Sequence, residues 1–404
     1  MPFNDPASGG SVADAPELDW HFIQAVFYNN PDTYPPIINS SWLLAQAGFR
    51  VEILSRDDGK RWNVRYPGKT EIRRLSAKGT ASWREYLSFV VKVLRCGNRD
   101  ASIFIGHDMH GLLPAWLLSK VYRRPLVYHC HDFAEADRAL PVGSRMVRAF
   151  ERKFAKGADL VVVPDADRSV VVASELKLKQ PPVVAANSPL QSPATTGEAL
   201  LKALADRERH YEKILFRQGS IGVGHAIEQT IRSIPNWGNN RWGFVIMGPA
   251  EPEYLAHLTA QARASGVEER FVALPPVGYD QVSKYTPGAD LGHALYEPIH
   301  INNVHITTAS NKIMEYMAAG LPLLVSDTRS TRALVERYQC GVVVDEKSPE
   351  SIAVGVNEVL GDPGRLRSMG LKSQRAFKED FCYPRQFAPI LSLLRRLAGK
   401  SKDR

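Results

Sequence analysis

The feature that most constrains this chain is a rhythm of short apolar runs, each followed by a stretch with helical spacing, played through twice. Trp20 to Tyr28 (WHFIQAVFY), Ser102 to Gly106 (SIFIG), Pro125 to Cys130 (PLVYHC) and Asp159 to Val163 belong to the first series. They are too short for core helices and too continuous for half-exposed strands, so they read as strands buried on both faces. Strands of that kind, alternating with helices, form a parallel sheet covered on both sides. The rhythm fails between Gln180 and Arg209, where QPPVVAANSPLQSPATTG has the composition of a linker. A second series starts at Ile214 and includes Phe244 to Met247, Phe271 to Leu274, Leu291 to Tyr296, Leu323 to Ser326 and Gly341 to Val344. The reading is an α/β chain with two Rossmann-like, doubly wound domains facing each other across a cleft. A disordered acidic tail covers 1–19, a first domain 20–190, a linker 191–212, a second domain 213–380, and a helix at 381–404 crosses back to the first domain.

Composition narrows the classes. With 44% hydrophobic and 23% charged residues in 404, the chain is neither fibrous nor disordered. No apolar stretch approaches the ~18–20 residues that span a bilayer, and the first residues, MPFNDPASGG, lack a secretory signal's basic flank and apolar core. Cys96, Cys130, Cys340 and Cys382 lie far apart with no CxxC spacing, which suits reduced thiols in a cytosol. The net charge is +8, and residues 50–156 hold 22 Lys and Arg against 11 Asp and Glu. That half suits an anionic partner. The basic helix 144–156 sets Arg145, Arg148, Arg152, Lys153 and Lys156 around Met146, Val147, Phe150 and Phe154. It reads either as a peripheral anchor on the inner face of a membrane or as a solvated helix packed on the sheet.

Ligands in open parallel sheets bind beyond the carboxyl ends of the strands. Two strands end in the same pair, His107-Asp108 and His131-Asp132. A histidine there can act as base, hydrogen-bond donor or metal ligand, and His129-Cys130-His131 is also an HxH. The second series opens on Gly219-Ser220-Ile221-Gly222-Val223-Gly224-His225, a turn whose amides can approach an anion. Its GxxGxG spacing is not the dinucleotide fingerprint, which argues against an NAD enzyme. The densest signal is Ser310-Asn311-Lys312-Ile313-Met314-Glu315-Tyr316-Met317-Ala318-Ala319-Gly320-Leu321-Pro322. Ser310 or Asn311 can cap a helix that Gly320 and Pro322 end. Lys312, Glu315 and Ala319 share one face of it. A carboxylate there can accept two hydrogen bonds from a ribose diol while the helix N-terminus faces phosphate.

NKIMEYMAAGLP, with ALYEP before it and LLVSD after, resembles the nucleotide-sugar helix of retaining family-4 glycosyltransferases of the GT-B fold. FRQGSIGVGHAIEQTI, FVIMGP and HDMHGLLPAWLLSKVYRRPLVYHCHDFAE fall in that family's order, and the likeness covers most of 20–395. The resemblance implies transfer of a sugar from a UDP- or GDP-linked donor to a hydroxyl of a glycan or lipid-linked glycan, as in polysaccharide biosynthesis. It implies retention, no metal and no other cofactor, and no nucleic acid partner. By position Glu315 would hold the ribose, and Ser310, Asn311 and Lys312 with Gly219 and Ser220 the diphosphate. Main chain around Val277 would frame the base. His131 and Asp132 would be the catalytic pair, with His107, Asp108 and Tyr34 on the acceptor side. The chain departs from the family at Ser220 and His225, where basic residues are usual, and at Thr307, where the first of two paired glutamates would stand. Lys312 is the candidate substitute for the missing charge. Those departures keep a second class open, a non-catalytic nucleotide-sugar binder on the same scaffold. A third is a metal-dependent hydrolase using His129, His131 and the aspartates of the two His-Asp pairs.

Overall fold

The computed structural model describes residues 21–76, 82–133, 142–194, 196–299 and 301–400. The acidic tail lies outside the described residues. Seven parallel strands form the first sheet: β1 (His21–Phe27), β2 (Phe49–Asp57), β3 (Thr70–Ser76), β4 (Ile103–His107), β5 (Leu126–His129), β6 (Leu160–Val163) and β7 (Val183–Val184). They run in the order β3-β2-β1-β4-β5-β6-β7. Six more form the second: β8 (Lys213–Gln218), β9 (Trp242–Met247), β10 (Phe271–Leu274), β11 (Leu291–Ala294), β12 (Leu323–Ser326) and β13 (Gly341–Val344). Their order is β10-β9-β8-β11-β12-β13, again all parallel. In each sheet the order reverses beside the first strand, which opens a crevice at its carboxyl end.

The central strands read cleanly because both faces are buried. In β1, six of seven residues are out of solvent, and all six of β9 are. The edge strand β3 falls in what the sequence presents as basic, turn-rich chain. Its residues TEIRRLS alternate and face water on one side, so no apolar run marks it. It matters to the site: Arg74 on β3 donates both Nη2 bonds to Asp32 at 2.8 and 2.7 Å and an Nη1 bond to Asn30 at 3.1 Å. That clamp fixes the turn after β1.

The helices Trp83–Arg95, Asp108–Tyr122, Val142–Ala155 and Ala166–Leu176 cover one face of the first sheet through Phe89, Val93, Leu118, Phe154 and Val172. The other face takes Pro35–Gln46 and the last helix, Tyr383–Lys400, whose Tyr383, Phe387, Ile390 and Leu394 pack on Ile37, Leu43 and Leu44. Direct bonds join the two halves. Asn187 N donates to Thr308 O at 2.8 Å, and Thr308 Oγ1 to Asp165 Oδ2 at 2.7 Å. Asn39 Nδ2 donates to Tyr279 OH at 3.1 Å. Among the described residues no helix is long and apolar enough to cross a membrane.

Candidate active site

The helix Asn311–Ala319 begins where local chemistry puts it. Ser310 Oγ accepts from Ile313 N, and Gly320 closes the helix at φ 76°, a conformation that costs glycine least. Ile313, Met314 and Met317 are buried, so Lys312 and Glu315 face the cleft. At the end of β8 the chain turns at Gly219, φ 85°. A Cβ there would lie 3.5 Å from Cε and 3.7 Å from Nζ of Lys312, so the lysine arches over this turn. Ser310, Lys312 and Gly219 therefore meet in one place, next to the helix N-terminus.

Glu315 stands in the wall of a cavity of about 1110 Å³ between the two halves, opposite Asn39 and Trp42 of the first. Its carboxylate accepts a short hydrogen bond from Gln218 Nε2, and Thr286 Oγ1 holds Gln218 Oε1 at 2.6 Å. Burial pushes the Glu315 carboxyl up to about 6, with the Gln218 bond and Lys312 pulling against it. Gln218 is a site residue that no local pattern reveals.

In the first half, parallel register sets His107 beside His129, and His131 follows two residues on. His107 Nδ1 and His131 Nε2 lie 2.9 Å apart, and the two rings are stacked at 5.2 Å. Burial holds all three imidazoles below their ordinary pKa, His107 at about 3, so they are neutral. His131 Nδ1 is buried without a partner. Asp108, at φ 54°, accepts from His131 N at 2.8 Å and Asp132 N at 3.1 Å. It therefore shapes the loop, and burial with the Asp132 charge pushes its carboxyl up to about 8. Tyr34 donates to Asp132 Oδ2 at 3.2 Å and sets its ring edge toward His131.

Arg168, absent from the sequence reading, locks this loop to the other half. Its Nη1 donates to His131 O at 2.7 Å, Nε to His305 O at 2.7 Å and Nη2 to Asn302 O at 2.9 Å. The segment 302–310 thus runs from the His131 loop to the cap Ser310, which brings the two groups of predicted residues to the ends of one short stretch. Three predicted residues lie around these groups. Val277 packs half-buried on the core behind the cavity, Ser220 is exposed on the turn, and His225 lays its ring against Tyr296 at 5.6 Å. Thr307 is buried and donates to Ser330 Oγ at 2.7 Å.

The ligand atoms of His107, His129 and His131 lie within 4.8 Å of one another, and a neutral imidazole trio of that size can hold a metal ion. Asp108 is committed to backbone amides and Asp132 to Tyr34 and Arg168, and among the described residues neither is grouped with the three histidines.

Two Rossmann-like parallel sheets meeting over such a cleft define the GT-B fold. The first half matches the Glycosyl transferase 4-like domain over residues 43–167, and the second matches Glycosyl transferases group 1 over 212–362. The chain belongs to the family-4-like GT-B glycosyltransferases. The curated relative "Uncharacterized glycosyltransferase MJ1607" of Methanocaldococcus jannaschii is 31% identical over 157 residues, which is 38% of this chain and 37% of that protein. Among solved structures, sucrose-phosphate synthase of Thermosynechococcus elongatus superposes with TM-score 0.71 at 14% identity, over 94% of this chain and 100% of that one. HepE of Anabaena, in complex with UDP and glucose, gives TM-score 0.71 at 14% identity over 93% and 100%. WaaG, a glycosyltransferase of lipopolysaccharide biosynthesis, gives 0.66 at 15% over 91% and 98%.

Proposed function

We propose that this protein transfers a sugar from a nucleoside-diphosphate-sugar, UDP- or GDP-linked, to a hydroxyl acceptor, with retention. The observation that carries the reading is Glu315 on the cavity wall, one turn along from a helix N-terminus and an ammonium group that both overhang the Gly219 turn. The carboxylate takes the ribose diol. The helix end, the turn's amides and Lys312 receive the diphosphate, whose charge grows as it leaves. His131, with its open Nδ1, meets the donor sugar near the acceptor hydroxyl, and Asp132 and Tyr34 line the acceptor side. A thermal-shift screen of nucleotide sugars tests this. One base class should raise the melting temperature in proportion to saturation, and product should follow with an acceptor glycan. No shift from any donor would end the reading. Binding without turnover under any acceptor would favour the non-catalytic binder that Ser220, His225 and Thr307 suggest.

The charge on the leaving diphosphate is met by protein groups, so turnover should survive EDTA. A loss restored by zinc alone would point to the histidine trio and to hydrolytic chemistry instead. Donor affinity should also depend on Glu315 ionisation. Ribose hydroxyls donate most strongly to the charged carboxylate, which is half ionised at about pH 6, so affinity is full about one pH unit above that. Below that it falls by up to about tenfold per pH unit. A flat titration between pH 5 and 7 would contradict the assignment.

The acceptor reading, a glycan or lipid-linked glycan at a cytoplasmic membrane face, draws on one surface. Trp83, Leu87 and Val91 are 66%, 51% and 46% exposed along one face of their helix, and Met146 and Phe150 are 56% and 42% exposed on another in the same layer. Each of these helices has a single acid, Glu85 and Glu151, and both are buried. Their exposed charge is positive, through Arg84, Arg95, Arg152 and Lys153. The side chains of Arg145, Val147 and Arg148 lie outside those described. Each such cation near an anionic surface adds about 1 kcal/mol. The protein should therefore sediment with phosphatidylglycerol vesicles at low salt, and Trp83→Ser with Leu87→Ser should release it. Failure to bind at low salt removes this part of the reading.

A further inference from the structure

Arg217 sits on β8 two residues before Gly219 and is fully buried. None of its partners is a carboxylate. Nη1 donates to Leu295 O at 3.3 Å and lies 3.2 Å from His293 Nδ1, while Nε and Nη2 have no partner. His293 is no counter-ion, because burial, reinforced by the arginine's own charge, keeps it neutral. The acids Glu228 and Glu297 are engaged elsewhere: Glu228 accepts from Tyr254 OH and Glu297 from Gln229. A cation buried without an anion is expensive, and cores rarely keep one for stability's sake.

Tyr296 lies beside it, with its ring centroid 5.4 Å from the guanidinium carbon. Lys312 reaches the same ring. Its Nζ donates to Tyr296 OH at 2.8 Å and is 5.1 Å from the ring centroid, and Ser310 Oγ completes the set at 2.9 Å from the same hydroxyl. One phenol thus has two cations beside it, next to the glycine turn. Burial would raise the phenol's pKa, yet Lys312 and Arg217 outweigh it and hold the group below its ordinary value. The cluster is positive and no carboxylate hydrogen-bonds to it: Glu315 feels the Lys312 charge, but its bond is to Gln218. What it lacks is an anion, and the turn above it is where the donor's diphosphate is proposed to lie.

We propose that Arg217 and Tyr296 are positioning residues for that diphosphate. Arg217 supplies a fixed charge through low-dielectric ground under Gly219, and Tyr296 steers the Lys312 ammonium over the turn, together replacing the charge missing at Ser220 and His225. This rests on the donor site proposed above and adds residues on β8 and β11's end to it. The incoming diphosphate completes the ion balance that the folded protein leaves open, so the cost of burying Arg217 is recovered only on binding.

The test is calorimetry of the full chain with UDP, GDP and ADP and with the corresponding nucleosides, for wild type, Arg217→Met and Tyr296→Phe. Affinity for the diphosphate that binds wild type should fall about tenfold or more in each variant, as expected for a lost charge-assisted contact. Affinity for the bare nucleoside should hold, and Arg217→Met should melt above wild type. An unchanged ratio of diphosphate to nucleoside affinity in Tyr296→Phe, or an equal loss of both ligands in either variant, overturns the proposal and leaves the donor site standing. If wild type binds none of the three diphosphates, the donor site falls and this proposal with it. Should Arg217→Met fail to fold, the ratio in Tyr296→Phe decides alone.

Discussion

Glu315→Ala should weaken binding of the donor nucleotide by about 100-fold and abolish measurable turnover at ordinary donor concentrations. A ribose diol bound by an ionised carboxylate makes two charge-assisted hydrogen bonds, together on the order of 3 kcal/mol net. The fold should tolerate the change, since the residue faces the cavity and its one hydrogen-bond partner, Gln218, keeps its bond to Thr286. Removal also relieves a carboxyl whose burial raises its pKa to about 6. The sign follows: a raised pKa means that the folded state disfavours the charged form, so at pH 7 the variant should melt no lower than wild type. Glu315→Gln separates charge from shape. It should retain the fold and lose most of the affinity, and it should lose the pH dependence as well. Calorimetry with the donor nucleotide reads all three.

His131→Ala should leave nucleotide affinity within about twofold and lower kcat by 10²–10³, the size seen when one group that stabilises transition-state charge is removed. The split between affinity and kcat is expected because the main chain at 131 is held independently of its ring. Asp108 takes the amide at 2.8 Å and Arg168 the carbonyl at 2.7 Å. The loop should keep its course when the imidazole goes. Losing a packed ring will also lower the melting temperature, so kinetics belong well below it. A variant that loses nucleotide affinity and kcat together would mean that the histidine supports the cleft and takes no part in the chemistry.

How far the sequence carried these assignments depends on the range of the forces behind each element. The helix Asn311–Ala319 was legible because everything that defines it is local: the cap Ser310, the apolar spacing and the closing Gly320. The buried central strands were legible for a related reason, since burial on both faces leaves a continuous apolar run. Strand β3 was not, because an edge strand with one wet face carries no such run. The site shows the same division. Glu315 could be singled out from its helix and the resemblance, whereas Gln218, 97 residues away, meets it only through the β8 crevice. Arg168 reaches His305 across 137 residues, and nothing near DADRSV announces that. The His107–His129 adjacency exists only in the β4–β5 register. Nothing in the run KILFRQ marks Arg217, and only its surroundings reveal that it is a buried charge without an anion.

The most direct test of the central claim compares a nucleoside diphosphate with its 2′,3′-dideoxy analogue, in wild type and in Glu315→Ala, by calorimetry. Because the carboxylate is assigned to those two hydroxyls, deleting them should cost wild type about 100-fold in affinity and should cost the variant almost nothing. Equal losses in both proteins would mean that the sugar hydroxyls are held elsewhere, and Glu315 would lose the role from which the proposed donor site is built.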